Sequence, residues 1–288
     1  MTRKTFLITG VSSGFGRAFA EEALAAGHVV VGTVRKDADA AEFEALAPGR
    51  AIARVLDITD EAAVLGVIAA IELDIAPIDV LIANAGYGHE GTFEESTMDD
   101  LHRQFDVNVF GTVAVMKAVL PGMRERRSGH IFVVTSVGGI VASPTLSFYN
   151  GSKFAMEGIV TSLSAEVAQF GVHVTAIEPG GFRTDWSGRS MVRAPRLIAD
   201  YDSLVDPIRT ARADYNGRQP GDPSLAGQAI LAVLEVENPP VHLLLGTDAL
   251  NAVTATQQAR TTEIDEWRFL SVSTDRAAGD HLPAVGPA

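Results

Sequence analysis

The chain of 288 residues contains no cysteine. A disulfide framework, a thiolate nucleophile and a cysteine-ligated metal are therefore excluded, and a reducing cytoplasm is the expected compartment. Lysine is nearly as scarce: Lys4, Lys36, Lys117 and Lys153 are the only four. A lysine at a chemically meaningful position is correspondingly harder to ascribe to chance. Positive charge is short overall, since 36 acidic against 23 basic residues leave a formal net charge of −13. General nucleic-acid binders and binders of anionic membranes carry the opposite balance, so neither partner is expected. Long apolar runs are missing as well. Phe6-Leu7-Ile8 is too short for the core of a signal peptide. Glu72, Asp74 and Asp79 interrupt the longest apolar region, so no membrane span is expected. The seven histidines show no ligand spacing along the chain, and no metal is expected.

What is present is alternation. Short apolar segments at 6–8, 29–34, 51–56, 80–83, 130–135, 172–177 and 241–245 read as strands. Helical patterns over 17–26, 41–46, 59–72, 98–127, 148–170 and 225–235 separate them, and Gly27 closes the first. Continuous apolar strands between helices imply a parallel sheet covered on both faces. With right-handed crossovers this is an α/β fold, a doubly wound seven-stranded parallel sheet of the Rossmann type. The length fits one domain over 1–270. The stretch 180–224 breaks the alternation and carries Pro195, Pro207, Pro220 and Pro223, which suggests a lid beside the site. Residues 271–288 are polar with Pro and Gly, and a loose tail is expected there.

The first strand ends in Thr9-Gly10-Val11-Ser12-Ser13-Gly14-Phe15-Gly16, a G-x-x-x-G-x-G turn that opens a helix. Glycines let the backbone approach a pyrophosphate, and a helix N-terminus favours its charge. A glycine-rich turn without a ligand is the rival explanation. The second strand ends Thr33-Val34-Arg35-Lys36, with no carboxylate before Asp37. A basic pair here accommodates the 2′-phosphate of NADP, where an acidic residue would hold the ribose hydroxyl of NAD. NADP(H) is accordingly the preferred expectation, with NAD(H) possible and a merely solvated pair as the rival. Asp57, followed by Ile58, offers a carboxylate for an adenine amino group or a cap for the next helix. Asn84-Ala85-Gly86 after the fourth strand leaves room for a cofactor against the sheet, and Asn84 also suits a structural brace.

Tyr149 and Lys153 are four apart in a helical pattern, which places them on one face. A free phenol has a pKa near ~10, too high for efficient proton transfer at neutral pH, and a neighbouring ammonium would lower it. Ser136 ends the fifth strand, where a hydroxyl either bonds a substrate oxygen or forms a local turn. Asn108 lies mid-helix among apolar residues and needs a partner, either within the core or in a water relay.

Together, Thr9-Gly10-x-x-x-Gly14-x-Gly16, Asn84-Ala85-Gly86, Asn108, Ser136 and Tyr149-x-x-x-Lys153 resemble the short-chain dehydrogenase/reductases in order and spacing over about residues 4–250. The overall pattern is similar to the hydroxysteroid dehydrogenase-like branch. The resemblance implies Tyr149 as acid/base, Lys153 on the nicotinamide ribose, Ser136 orienting the substrate carbonyl and Asn108 supporting a proton relay. It further implies that Ser12, Ser13, Phe15, Asp57, Ile58, Pro179, Gly180 and Thr184 join the glycines and Arg35 in binding NADP, Thr184 at the carboxamide. A homodimer or homotetramer built on the long helices is implied too. Ala83 departs from the family, many members having Asn there, and Ser13 is not basic.

The reaction expected is interconversion of a small-molecule carbonyl and secondary alcohol. Rival readings are a non-catalytic NADP-binding regulator and a dehydratase or epimerase reusing the Tyr/Lys pair. Arg183, Arg189, Arg193 and Arg196 suggest an anionic substrate, but Asp185, Asp200 and Asp202 favour a solvated mixed-charge loop. Trp186 and Met191 suit either an apolar pocket or an anchor for the lid.

Overall fold

The computed structural model of the protein describes residues 2–275. Its elements are β1 (Thr5–Ile8), α1 (Gly14–Ala25), β2 (Val29–Val34), α2 (Asp37–Glu44), β3 (Ala51–Val55), α3 (Glu61–Asp74), β4 (Val80–Ala83) and β5 (Gly88–Glu90). There follow α4 (Met98–Phe105), α5 (Thr112–Arg126), β6 (Gly129–Val134), α6 (Ser147–Val167), β7 (Val172–Pro179), β8 (Met191–Arg193) and α7 (Asp202–Tyr215). The chain continues through α8 (Pro223–Val233), β9 (His242–Leu245), α9 (Thr247–Glu266) and α10 (Arg268–Val272).

Seven strands form one parallel sheet in the order β3-β2-β1-β4-β6-β7-β9. Alternate residues of each strand face opposite sides, which separates two apolar cores. Phe6 and Ile8 of β1 pack with Phe19, Phe43 and Ile230 from α1, α2 and α8. Leu7 faces the other way, onto Ile68, Val119, Met123 and Val160 from α3, α5 and α6. Local caps fix where helices start and stop. Asp60 accepts from Ala63 N at the start of α3, Thr97 and Asp100 form a reciprocal capping box on α4, and Gly27 follows α1 at φ +90°, where a side chain would be strained. The order reverses between β1 and β4, and the crevice at that switch point is where such sheets bind ligands.

Three features differ from the sequence pattern. The helix expected over 98–127 is interrupted by a π-helical turn, Asp106–Gly111. The stretch 180–224 contains α7 and the strand β8, which pairs in parallel with β5 from Gly88↔Met191 to Glu90↔Arg193. Beyond β9 the chain adds α9, whose buried residues are only Ala249 and Val253. So sparse an apolar stripe leaves little helical periodicity to detect. Of the expected tail, 271–275 finish α10 and its turn, and residues 276–288 lie outside the described residues. The run Met98–Arg126 has the length and hydropathy of a membrane span by composition alone. Its Val109, Val115, Met116, Val119 and Met123 lie in the core under the sheet.

Candidate active site

The glycine-rich turn is built for close approach. A Cβ on Gly16 would lie 2.2 Å from Gly10 O and 2.5 Å from Asn84 Nδ2. Gly10 and Gly14 adopt φ +74° and +57°, which favour glycine. Thr9 and Asn84 lock the ends of β1 and β4 together. Thr9 Oγ1 accepts from Asn84 N and Ala85 N, both at 2.9 Å, and Asn84 Nδ2 donates to Thr9 O at 2.8 Å. Asn84 thus braces the strand ends, one of the two roles its position suggests. Ser13, the N-cap residue of α1, makes no side-chain cap bond, and the first turn of α1 carries no acidic residue. These amide groups at the positive helix end suit a pyrophosphate. A cavity of about 530 Å³ adjoins the turn, lined by Gly14, Arg17, Arg183 and Thr184. Thr184 Cβ lies 3.7 Å from where a Gly14 Cβ would stand. Phe15 packs on Phe182 with ring centres 5.1 Å apart, tying the turn to the segment after β7. Pro179 ends β7, Gly180 N donates to Leu245 O at 2.9 Å, and Gly181 N donates to Asp248 Oδ2 at 2.6 Å. Ser12 is exposed on the rim.

Arg35 and Lys36 are exposed at the end of β2. Asp57 accepts from Thr59 N at 3.0 Å and Thr59 Oγ1 at 2.8 Å. These bonds, and then the Arg35 charge, lower its pKa. The helix cap, the rival role for Asp57, is supplied by Asp60, three residues on. Ile58 is buried and its side chain packs against Gly111, where a Cβ would come within 2.9 Å.

The chemical groups converge from separate elements. Tyr149 and Lys153 lie on one face of α6, 6% and 8% exposed. Lys153 Nζ stands 5.9 Å from the Tyr149 ring centre and donates to Val134 O at 2.8 Å. Ser136, beyond β6, caps a short turn by accepting from Gly138 N at 2.9 Å, and it stands beside the Tyr149 ring: a Cβ on Gly138 would lie 3.2 Å from Ser136 Oγ and 3.1 Å from Tyr149 Cε1. Burial raises the Tyr149 pKa to about 12, with Ser136 opposing it. Burial also lowers Lys153 to about 8, with Glu157 opposing. The depression of the phenol pKa expected from the ammonium is thus not realised here. Desolvation dominates a phenol sealed under the lid, and the lysine proton is turned toward Val134 O.

Asn108 sits in the π-helical turn. Its Oδ1 accepts from Tyr87 N at 3.1 Å, and its Nδ2 donates to Tyr87 O at 3.0 Å and Ser152 Oγ at 3.1 Å. Ser152 Oγ in turn donates to Tyr149 O at 2.7 Å. Gly86 permits the approach, since a Cβ there would lie 3.1 Å from Asn108 Oδ1. Asn150 was not singled out from the sequence. Its Nδ2 donates to Gly138 O at 2.7 Å and its Oδ1 accepts from Ser143 N at 3.1 Å, fastening the Ser136 turn to α6. Thr145 was also missed. It is buried at φ +70°, and its hydroxyl has no hydrogen-bond partner among the described residues.

The segment after β7 packs on Tyr149. Trp186 and Met191 pack with Tyr149 and Leu146 in one apolar cluster, and Met191 lies so close to Gly88 that a Cβ there would meet its methyl at 2.9 Å. The lid arginines are paired: Arg183 with Asp222, Arg189 with Asp185, and Arg196 with Asp202, Asp206 and Glu95. Glu90, fully buried, meets Arg209 at 2.7 Å, Arg212 at 2.5 Å and Arg193 at 3.6 Å. Burial pushes its carboxyl up, but the Arg212 and Arg209 bonds and the Arg193 charge outweigh it and lower the pKa. These contacts fit the mixed-charge reading of the lid better than an anion trap.

The sequence pattern of the family described as short chain dehydrogenase matches residues 4–192. An oxidoreductase of Botryotinia fuckeliana, BOA17, is 37% identical over 272 residues, covering 94% of this chain and 99% of its own. An NADPH-dependent 3-dehydrocapnine reductase of Ornithobacterium rhinotracheale is 34% identical over 205 residues, 69% of this chain and 72% of its own. The crystal structure of a short-chain dehydrogenase from Streptomyces avermitilis superposes with a TM-score of 0.89 at 38% identity, covering 95% of this chain and 99% of that one.

Proposed function

The chain belongs to the short-chain dehydrogenase family of oxidoreductases, and on that premise we propose that it reduces a small-molecule carbonyl to a secondary alcohol with NADPH, Tyr149 serving as the acid. The observation that carries the proposal is the convergence of Ser136 and Tyr149, which stand 3.2 Å (Oγ) and 3.1 Å (Cε1) from the point where a Gly138 Cβ would lie, two groups delivered by different elements to the carboxyl end of β6. A bound nicotinamide would supply the hydride. Ser136 Oγ holds the substrate oxygen, and Tyr149 Oη gives it a proton as charge develops there. A phenol that burial keeps protonated through the neutral range can give its proton to the substrate oxygen. Lys153, on the same face of α6 with Nζ 5.9 Å from the Tyr149 ring centre, would bond the nicotinamide ribose, and its charge would favour the phenolate left behind. Asn108 positions α6 through Ser152 and Tyr87, and a second lone pair of its Oδ1 remains for a relay water.

The turn residues Gly10, Ser12, Ser13, Gly14, Phe15 and Gly16 would cradle the pyrophosphate, and Thr184 would face the carboxamide across the cavity. Asp57 and Ile58 would border the adenine, and Ala85 and Gly86 the ribose. Arg35 and Lys36 support NADP over NAD, as does the NADPH dependence of the Ornithobacterium relative. The likeness to the hydroxysteroid dehydrogenase-like branch guides the choice of test ketones and nothing more. A homodimer or homotetramer would use the apolar surface between α5 and α6, around Met116, Leu120, Phe154 and Ile159. Light scattering that shows only monomer removes that part.

The test is a panel of ketones and aldehydes read by loss of NADPH absorbance, repeated with Tyr149→Phe. The variant is expected to bind NADPH unchanged and to lose turnover by about 10²- to 10⁴-fold. Undiminished turnover overturns the acid assignment. NADPH binding without turnover of any panel member favours a non-catalytic regulator instead.

A further inference from the structure

One turn beyond Lys153 on α6, Glu157 meets Glu178 of β7 and His242 of β9. His242 Nδ1 lies 2.7 Å from Glu178 Oε1 and 3.3 Å from Glu157 Oε2, and one ligand atom from each of the three falls within 4.8 Å of the others. Glu178 is 1% exposed and Glu157 12%, while His242 is 47% exposed and opens the group to solvent. Among the described residues, Glu178 Oε2 and both oxygens of Glu157 are buried without a hydrogen-bond partner. Buried carboxylate oxygens left unpaired are costly, and such groups normally find a donor or a cation. The charge of Lys153 reaches Glu157, but the hydrogen bond that its Nζ makes goes to Val134 O.

Thr161 Oγ1 donates its one hydrogen to Glu157 O at 2.8 Å. Its 3.3 Å contact with His242 Nε2 therefore requires that Nε2–H be the donor. Nδ1 faces both carboxylates and hydrogen-bonds Glu178 Oε1 at 2.7 Å, and a cation bound there would take the place of the proton shared in that contact. A metal-bound histidine is held in the same way, its far nitrogen donating to an outer partner.

We propose that Glu157, Glu178 and His242 form a binding site for a divalent metal ion of the zinc class, with Nδ1 and one oxygen of each carboxylate as ligands and the solvent side open to water. One nitrogen and two carboxylates are a donor set that suits zinc, cobalt or manganese better than calcium. Tetrahedral coordination at ~2.0–2.1 Å needs ligand atoms roughly 3.3 Å apart. The Glu157–His242 pair already has that spacing, and the Glu178–His242 pair has to open slightly. The ion would fasten α6, which carries Tyr149 and Lys153, to β7 and to β9 at the sheet edge. No such site was expected from the sequence, because the ligands come from three elements and only one is a histidine.

The test uses tag-free full-length protein, treated with EDTA and titrated with Co²⁺. The expected result is one Co²⁺ per chain with a saturable visible absorption, displaced by Zn²⁺, and a higher melting temperature. His242→Ala, at a half-exposed position that leaves the core intact, should abolish the absorption, and so should Glu178→Gln. Thr161→Val, which removes only the outer partner, should weaken binding by about 10- to 100-fold. Absence of a saturable signal in the wild-type protein, or equal binding in His242→Ala, overturns the proposal and leaves the three groups bridged by shared protons. Neither readout depends on the reaction at Tyr149.

Discussion

The ring of Trp186 lies 5.1 Å from the ring of Tyr149, tilted by 55°, so the lid packs directly on the proposed acid. Tyr149 retains 6% exposure, and the 530 Å³ cavity beside Gly14 and Thr184 does not reach it. A substrate that approaches Tyr149 from this side has to displace Trp186 and Met191, which pack with it in one apolar cluster.

Trp186→Ala tests that arrangement. Removing the indole admits water to the phenol and weakens the desolvation that raises its pKa. Reduction needs the protonated phenol, so activity falls as pH rises through its pKa. The alkaline limb of kcat/KM should therefore move to lower pH in the variant. Melting temperature should fall as well, since the half-buried indole loses its apolar burial in addition to an aromatic contact of about 0.5–1.5 kcal/mol. An unmoved alkaline limb would show that Trp186 does not set the phenol's environment.

Cofactor choice is tested at Arg35, whose charge already reaches Asp57. Arg35→Asp replaces a phosphate partner with a repelling carboxylate. A hydrogen bond to a charged group contributes about 1.5–3 kcal/mol, so KM for NADPH should rise roughly 10- to 150-fold. KM for NADH should stay level or fall, because aspartate can hold a ribose hydroxyl. Steady-state kinetics with both cofactors decide it, and equal losses with the two would mean that Arg35 does not read the phosphate.

How much of this was visible in the chain depends on how local each signal is. All seven strands of the sheet were legible, because a buried parallel strand is a continuous apolar run and needs no partner to be recognised. The i, i+4 placement of Tyr149 and Lys153 was legible for the same reason. The direction of the Lys153 ammonium was not, because it depends on Val134 O across a tertiary contact. The π-helical turn at Asp106–Gly111 inserts one extra residue into a helix whose composition fits either winding. The β5–β8 pair joins three-residue strands a hundred residues apart, and its register is set by packing of Met191 against Gly88 and Trp186.

Acid should loosen the lid through Glu95. This carboxylate accepts from Leu197 N at 2.7 Å, Ile198 N at 3.0 Å and Thr92 Oγ1 at 2.9 Å. The two backbone bonds chiefly, with Thr92 and Arg196, lower its pKa from 4.5 to about 2. A carboxyl with a depressed folded pKa contributes stability that is present above pH 4.5 and is lost as pH falls toward 2. Hydrogen exchange at the Leu197 and Ile198 amides, corrected for intrinsic rates, should lose protection across that window in the wild type. Glu95→Gln should show weaker protection at neutral pH and no loss specific to the window. A pH-independent wild-type pattern would contradict the assignment.

Thr145 stands just before the helix that carries Tyr149, and it combines two costs. Its φ of +70° is unfavourable for a β-branched residue, and its hydroxyl is buried without a partner among the described residues. A left-handed conformation costs a side chain about 1–2 kcal/mol, and an unpaired buried donor costs about 1–3 kcal/mol. Glycine removes both, against a backbone-entropy penalty of about 0.5–1 kcal/mol. Thr145→Gly should thus stabilise the protein by about 1 kcal/mol in urea unfolding, after allowance for lost packing. Strain of this kind persists where it serves a site, so kcat/KM for the carbonyl substrate should fall as stability rises. Thr145→Val keeps the shape and the strain but deletes the hydroxyl, and it should lose activity to the same degree if the hydroxyl meets the substrate. A Gly variant that is less stable than wild type, or a Val variant of full activity, would place Thr145 in the packing of the loop alone.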